Sequence, residues 1–156
     1  MNSKKPRYYY HVTEQKWSDK VILTPKIDGP NRDINEPKTP RICVCPTIEQ
    51  CFVAIYFKDD PKWYIYRTEK KEIATYSRNI SDSYITGEQW LRKKTIFIKI
   101  GSITTSQLLT KEIQPIEDES WYCLGDGGKE SERWQKKAVK VLKKNKLIKK
   151  MYKELR

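Results

Sequence analysis

Arg41-Ile42-Cys43-Val44-Cys45-Pro46-Thr47-Ile48-Glu49-Gln50-Cys51-Phe52-Val53-Ala54-Ile55-Tyr56-Phe57 is the most apolar run in an otherwise polar chain. Its first residues alternate β-branched Ile42 and Val44 with Cys43 and Cys45, which suits a buried strand. Pro46 has no N–H for a sheet ladder and should end that strand. Thr47 followed by Gln50 has capping-box spacing for a helix start. Ile48, Cys51, Phe52, Ile55 and Tyr56 recur at i, i+3, i+4, i+7 and i+8, which predicts a helix with one apolar face. A strand and a helix joined through so tight a corner should form one wall of a core. Such a corner can also present backbone N–H groups to a ligand.

Upstream, residues 24–40 read as a long irregular loop punctuated by Pro25, Gly29, Pro30, Pro37 and Pro40. A loop of that length in a compact domain is usually functional or disordered. Arg7 to Thr13 is a strand by its aromatic and β-branched content. Alternation puts Tyr8, Tyr10 and Val12 on one face and Tyr9, His11 and Thr13 on the other. Trp17 to Lys20 is a turn or short helix, and Val21 to Leu23 a second short apolar segment.

Downstream, Lys58 to Pro61 is a turn and Trp63 to Thr68 a strand. Glu72 to Tyr76 is a candidate strand, and Ser77 to Ser83 a polar loop. Tyr84 to Leu91 is apolar but interrupted by Gly87-Glu88. Thr95 to Ile100 is a strand that Gly101 should break, and Gln107 to Ile113 a candidate last strand. Residues 114–130 are acidic, then glycine-rich, like a linker. From Ser131 to Leu155 there is no Gly or Pro. Trp134, Ala138, Val141, Asn145, Ile148, Tyr152 and Leu155 form one stripe of a continuous helix.

The expected fold is therefore α+β: a central antiparallel or mixed sheet with one early helix and a long basic C-terminal helix. The expected organisation is a body over residues 7–113, a linker over 114–130 and a basic amphipathic helix over 131–155.

The 156 residues carry a net charge of +12. Residues 129–156 hold 12 Lys or Arg against 3 Asp or Glu, so nine of the twelve excess charges lie there, and the body is nearly balanced. No run approaches the roughly 18 apolar residues of a membrane span, and no apolar segment after Met1 to Arg7 suggests a signal peptide. Cys43, Cys45, Cys51 and Cys123 lack CxxC spacing. They read as buried thiols in a reducing cytoplasm, with a zinc site from Cys43, Cys45, Cys123 and His11 as the less favoured reading. No glycine-rich phosphate loop, HExxH or GxSxG is present. Nothing in the spacing supports a Ser/His/Asp or Cys/His site with His11 as base.

His-x-Thr at His11 and Thr13 on a first strand, an apolar strand leading into a helix, and Glu88 just before a strand together resemble the ADP-ribosyltransferase fold. The likeness is to the branch that uses a His on the first strand and a Glu near a later one, and it covers residues 7–113. The Tyr8 to Phe57 portion is also similar to small proteins of bacteria and phages. The resemblance implies NAD as cofactor and a macromolecular target. It implies that His11 bonds the adenosine ribose, with Thr13 supporting the dinucleotide. Glu88 would bond the nicotinamide-ribose hydroxyl and stabilise the positive sugar as nicotinamide leaves. Arg41, at a strand edge, could grip the pyrophosphate with two donors; this rests on its chemistry, not on the resemblance. The family's Tyr or Ser-Thr-Ser motif is replaced here by Ile-Cys-Val-Cys-Pro-Thr. The nicotinamide-stacking tyrosine would come from Tyr56, Tyr64 or Tyr66. Thr86 stands where arginine-modifying members have Glu, so arginine targeting is not implied.

Plainer readings stand beside these. His11 suits a packed strand, Gly87-Glu88 a solvated turn, and Arg41 an ion pair with Glu36 or Asp33. The lysine-rich helix suggests a second function class, a non-enzymatic nucleic-acid-binding protein. It would contact phosphates through Arg133, Lys136, Lys137, Lys140, Lys143 and Lys144. A lysine face is also common soluble surface.

Overall fold

The computed structural model describes residues 5–27, 39–53, 62–76, 87–108 and 129–155. It is an α+β fold. Strands β1 (Tyr10–Thr13), β4 (Lys62–Thr68), β7 (Thr95–Thr104) and β2 (Lys20–Leu23) make an antiparallel sheet in the order β1-β4-β7-β2. Strands β3 (Ile42–Val44), β6 (Gln89–Leu91) and β5 (Thr75–Tyr76) make a second antiparallel sheet in the order β3-β6-β5. The described helices are α1 (Ile48–Val53), α2 (Thr105–Leu108), α3 (Lys129–Leu142) and α4 (Lys146–Glu154).

Single bridges link the sheets. Tyr10 and Cys45 exchange backbone hydrogen bonds at 2.9 and 3.0 Å, and Lys26 and Arg41 do so at 3.1 and 3.0 Å. The pairings thus close a circuit, from β1 through β4, β7 and β2 to the chain just past β2, then to β3 and back to β1.

Strand alternation feeds two cores on opposite faces of the four-stranded sheet. Tyr10, Trp63 and Ile65 join a core with Phe52, Ala138, Leu142, Ile148 and Met151, which belong to α1, α3 and α4. Tyr9, Tyr64 and Tyr66 point the other way, to Ile42, Val44 and Leu91 of the second sheet. Phe97 and Ile103 of β7 share parity, yet Phe97 lies in the second core and Ile103 in the first. The cause is a bulge. Ile65 pairs Gly101 and Tyr66 pairs Lys99, so Ile100 is the extra residue and inverts the alternation.

The corner at Pro46-Thr47 forms as its sequence predicts. Thr47 Oγ1 accepts from Gln50 N at 3.1 Å and donates to Gln50 Oε1 at 3.0 Å. Helix α1 buries Ile48, Cys51 and Phe52. At its first turn, Tyr152 Oη accepts from Ile48 N at 2.8 Å and donates to buried Glu49 Oε2 at 2.7 Å. That pair of bonds locks α4 onto the helix that opens the core.

Several sequence expectations are corrected. Gly101 does not end its strand: β7 runs through it to Thr104. A Cβ there would stand 2.9 Å from Met151 Sδ, so the missing side chain is the seat of α4. Gln107 and Leu108 are helical rather than extended. Thr104 N donates to Gln107 Oε1 at 2.9 Å and Gln107 N donates to Thr104 Oγ1 at 3.3 Å, a complete capping box. The basic C-terminal helix is present but divided. Asn145 leaves the expected stripe and caps α4, its side chain accepting from Leu147 N and Ile148 N. Trp17 to Asp19 is an irregular connection into β2. The expectations for residues 28–38, 54–61, 77–86 and 109–128 lie outside the described residues, as does Cys123.

Candidate functional site

Beyond the Tyr10–Cys45 bridge, β1 and β3 separate, and the gap between them is a cavity of about 430 Å³. His11 and Thr13 line it from β1, Cys43 from β3 and Arg41 from just before it, and Trp17 and Lys26 from the segments on either side of β2. Three residues singled out by sequence, His11, Thr13 and Arg41, are therefore brought together.

His11 Nδ1 lies 2.9 Å from Cys43 O. A carbonyl only accepts, so this bond places a proton on Nδ1; when the ring is neutral, Nε2 is its acceptor. Trp17 stacks on His11 at 5.7 Å with an interplanar angle of 13°. Trp17 N donates to Tyr66 Oη at 3.1 Å, which anchors the connecting segment to β4. The ring of His11 is thus held from both sides, with Nδ1 toward Cys43 O and its plane set by Trp17.

Among the described lining residues there is no carboxylate, and there are two fixed cations, Lys26 and Arg41. The cavity favours an anion. Arg41 is only 3% exposed. Its Nη1 donates to Thr39 O at 3.3 Å, and its guanidinium lies 4.5 Å from the centre of the Trp90 ring. Arg41 therefore contributes a positive field from the wall, while exposed Lys26 can reach a ligand directly.

Glu88 is not among the cavity-lining residues. It is half-buried at the head of β6, directly after Gly87, whose φ of 71° requires glycine. Trp90 Nε1 donates to Glu88 Oε1 at 3.5 Å. Glu88 directly precedes β6, β6 pairs with β3, and the end of β3 bridges to β1 at Tyr10, so β3 lies between Glu88 and the strand of His11. Arg41, Trp90 and Glu88 follow one another along the β3–β6 pair, linked through the indole.

Cys45 is no nucleophile. Its hydrogen bond with Cys51, its burial and the nearby Cys51 and Glu88 hold its thiol well above the ordinary range. Of the tyrosines proposed to stack on nicotinamide, Tyr66 is fully buried and Tyr64 half-buried, while Tyr56 lies outside the described residues.

Lys136, Lys137, Lys140, Lys143 and Lys144 are exposed along α3 and the turn after it; Arg133 lies on the same helix. Sequence reasoning missed Lys26, Trp17 and Trp90. Lys26 had a readable signal, as a cation near the start of the long loop over residues 24–40. The part played by Trp90 depends on the β3–β6 register. Among the described residues, no helix is long and apolar enough to cross a membrane. Set against known proteins, the chain matches no family model, no curated protein and no solved structure.

Proposed function

We propose that the cavity binds NAD and that the protein is an ADP-ribosyltransferase-like enzyme with a macromolecular target. One observation carries the reading: the strands bearing His11, Arg41 and Glu88 are neighbours, in the order β1-β3-β6, and a cavity opens between the first two. Its volume is within the range of small-molecule sites, and its two cations without a lining acid suit a pyrophosphate.

His11, fixed by Cys43 O and Trp17, would present Nε2 as acceptor to a ribose hydroxyl of the adenosine half. Thr13 is the next cavity-lining residue along β1. Lys26 and the field of Arg41 would hold the pyrophosphate. The nicotinamide half would then extend along the β3–β6 pair toward Glu88. When the bond from ribose C1′ to nicotinamide nitrogen breaks, its electron pair leaves with neutral nicotinamide. The sugar becomes positive, and the Glu88 carboxylate stabilises that charge where it develops. A nucleophile of the target then bonds C1′ and releases its proton to water; with water as nucleophile the product is free ADP-ribose. The buried thiols Cys45 and Cys51 accord with a reducing cytoplasm.

Calorimetric titration with NAD and chromatographic assay of nicotinamide release test the reading. Glu88→Gln should retain the fold and NAD binding and lose turnover; turnover that survives removes Glu88 from the site. His11→Ala should weaken NAD binding at least about tenfold. A chain that does not bind NAD at all would overturn the proposal.

A further inference from the structure

The lysines of the C-terminal helices are sorted by face. Residues 136–153 contain nine lysines and no Asp or Glu. All nine are exposed, whereas Ala138, Leu142, Ile148 and Met151 are buried against the sheet. On α4, Lys146, Lys149, Lys150 and Lys153 fall at i, i+3, i+4 and i+7, one stripe opposite the buried pair Ile148 and Met151. On α3, Lys136, Lys137 and Lys140 continue the charge into the turn at Lys143 and Lys144.

The array is rigidly mounted. Tyr152 is bonded to Glu49 and Ile48, and Asn145 Nδ2 donates to Gln107 O at 3.0 Å. The lysines need not pay for ordering a flexible tail when they meet a partner.

We infer that α3, α4 and the turn between them dock the sugar-phosphate backbone of duplex nucleic acid. Within residues 136–153 the row of point charges holds no acid, and Glu154, paired with Lys150 at 3.9 Å, closes its end; such a row matches a regular row of phosphates. Asn145, the polar side chain among them, is already used for capping, so the surface positions a duplex without reading its bases. Among residues 136–155, Leu147 is the one large apolar side chain that is exposed, at 37%, which gives a bilayer little to take up there.

The site is also separate from the cavity. The helices cover the core of Tyr10, Trp63 and Ile65, and the cavity borders the opposite core, with Trp17, Leu23 and Ile42. A docked duplex anchors the protein and leaves the cavity open. This inference does not depend on the NAD reading and fails independently of it.

The test is fluorescence anisotropy of the full chain with labelled duplex DNAs of unrelated sequence. About five neutralised phosphates give a log–log salt slope of about −4.5, roughly a 500-fold loss between about 50 and 200 mM salt. The triple change Lys140→Glu, Lys144→Glu, Lys149→Glu should weaken binding at least about fiftyfold, with the circular dichroism spectrum and NAD titration unchanged. The matched change Lys70→Glu, Lys71→Glu, Lys94→Glu, made elsewhere on the surface with the same loss of charge, should cost less than about fivefold. Equal losses in the two triples would overturn the inference. So would salt-insensitive binding, more than about tenfold discrimination between duplex sequences, or tighter binding to phosphatidylserine vesicles than to the duplex.

Discussion

The Arg41 guanidinium rests 4.5 Å from the centre of the Trp90 ring, and the same indole donates its N–H to Glu88. The wall cation of the cavity and the carboxylate beyond β3 therefore share one aromatic platform. A guanidinium stacks on such a face as a plane, and an ammonium does not. Arg41→Lys should lower stability by about 1 kcal/mol through the lost stacking, read from the urea midpoint. In the NAD reading the wall keeps its positive charge, so dinucleotide binding measured by calorimetry should change by less than about threefold.

Tyr152 should be the main fastening of α4. Tyr152→Phe strips a partner from buried Glu49 and from the first N–H of α1, at a cost of about 2–3 kcal/mol at neutral pH. The pH dependence follows from the proton count. Burial, then Glu49, holds the Tyr152 phenol far above its ordinary value of 10.0, and burial raises that of Tyr10. Above about pH 10 the unfolded chain releases the Tyr152 proton and the folded chain keeps it; the Tyr10 phenol contributes in the same direction. The contribution is complete below that pH and declines as pH rises, by about 1.4 kcal/mol per unit for the Tyr152 phenol. Urea melts at about pH 9, 10 and 11 should show a shallower decline in Tyr152→Phe than in the parent.

Gly101 and Met151 should behave as a coupled pair. A Cβ at Gly101 meets Met151 Sδ at 2.9 Å and both Cε and Cγ at 3.0 Å, so more than the flexible tip must move. Gly101→Ala should cost about 1–2 kcal/mol. In a double-mutant cycle with Met151→Ala, the combined cost should fall below the sum by about 0.5 kcal/mol or more.

Asn145 caps α4 with two accepted bonds, at 3.0 and 3.1 Å, and holds Gln107 O with a third. Asn145→Ala should destabilise by about 1–2 kcal/mol. Asn145→Asp keeps the accepted bonds and loses the donated one, so its urea midpoint should fall between the two.

What could be read from sequence was local. The alternation around His11, the Arg41 to Cys45 strand, the Thr47 cap and the apolar face of α1 depend on neighbours a few residues away. The break at Asn145 and the capping box at Thr104 and Gln107 were also written locally. At Asn145 the stripe spacing outweighed the capping chemistry, and at Gln107 the spacing to Thr104 went unread. Gly101 was different in kind, because its reason is Met151, fifty positions along the chain. The cavity was half legible. The residue types at His11, Thr13 and Arg41 drew attention, but their convergence depends on β1 and β3 touching at one bridge and then parting. Trp17 enters through that geometry alone.

The extra residue Ile100 gives β7 a seam. Before it, the strand serves the core that walls the cavity; after it, the core that carries the lysine helices. The two halves answer to different neighbours, so substitutions that repack Ile103, Gly101 and Met151 can drift without rewriting Phe97 and its surroundings. A single chain can thus retune what it anchors to while conserving what it encloses, and the boundary between those two freedoms is one residue wide.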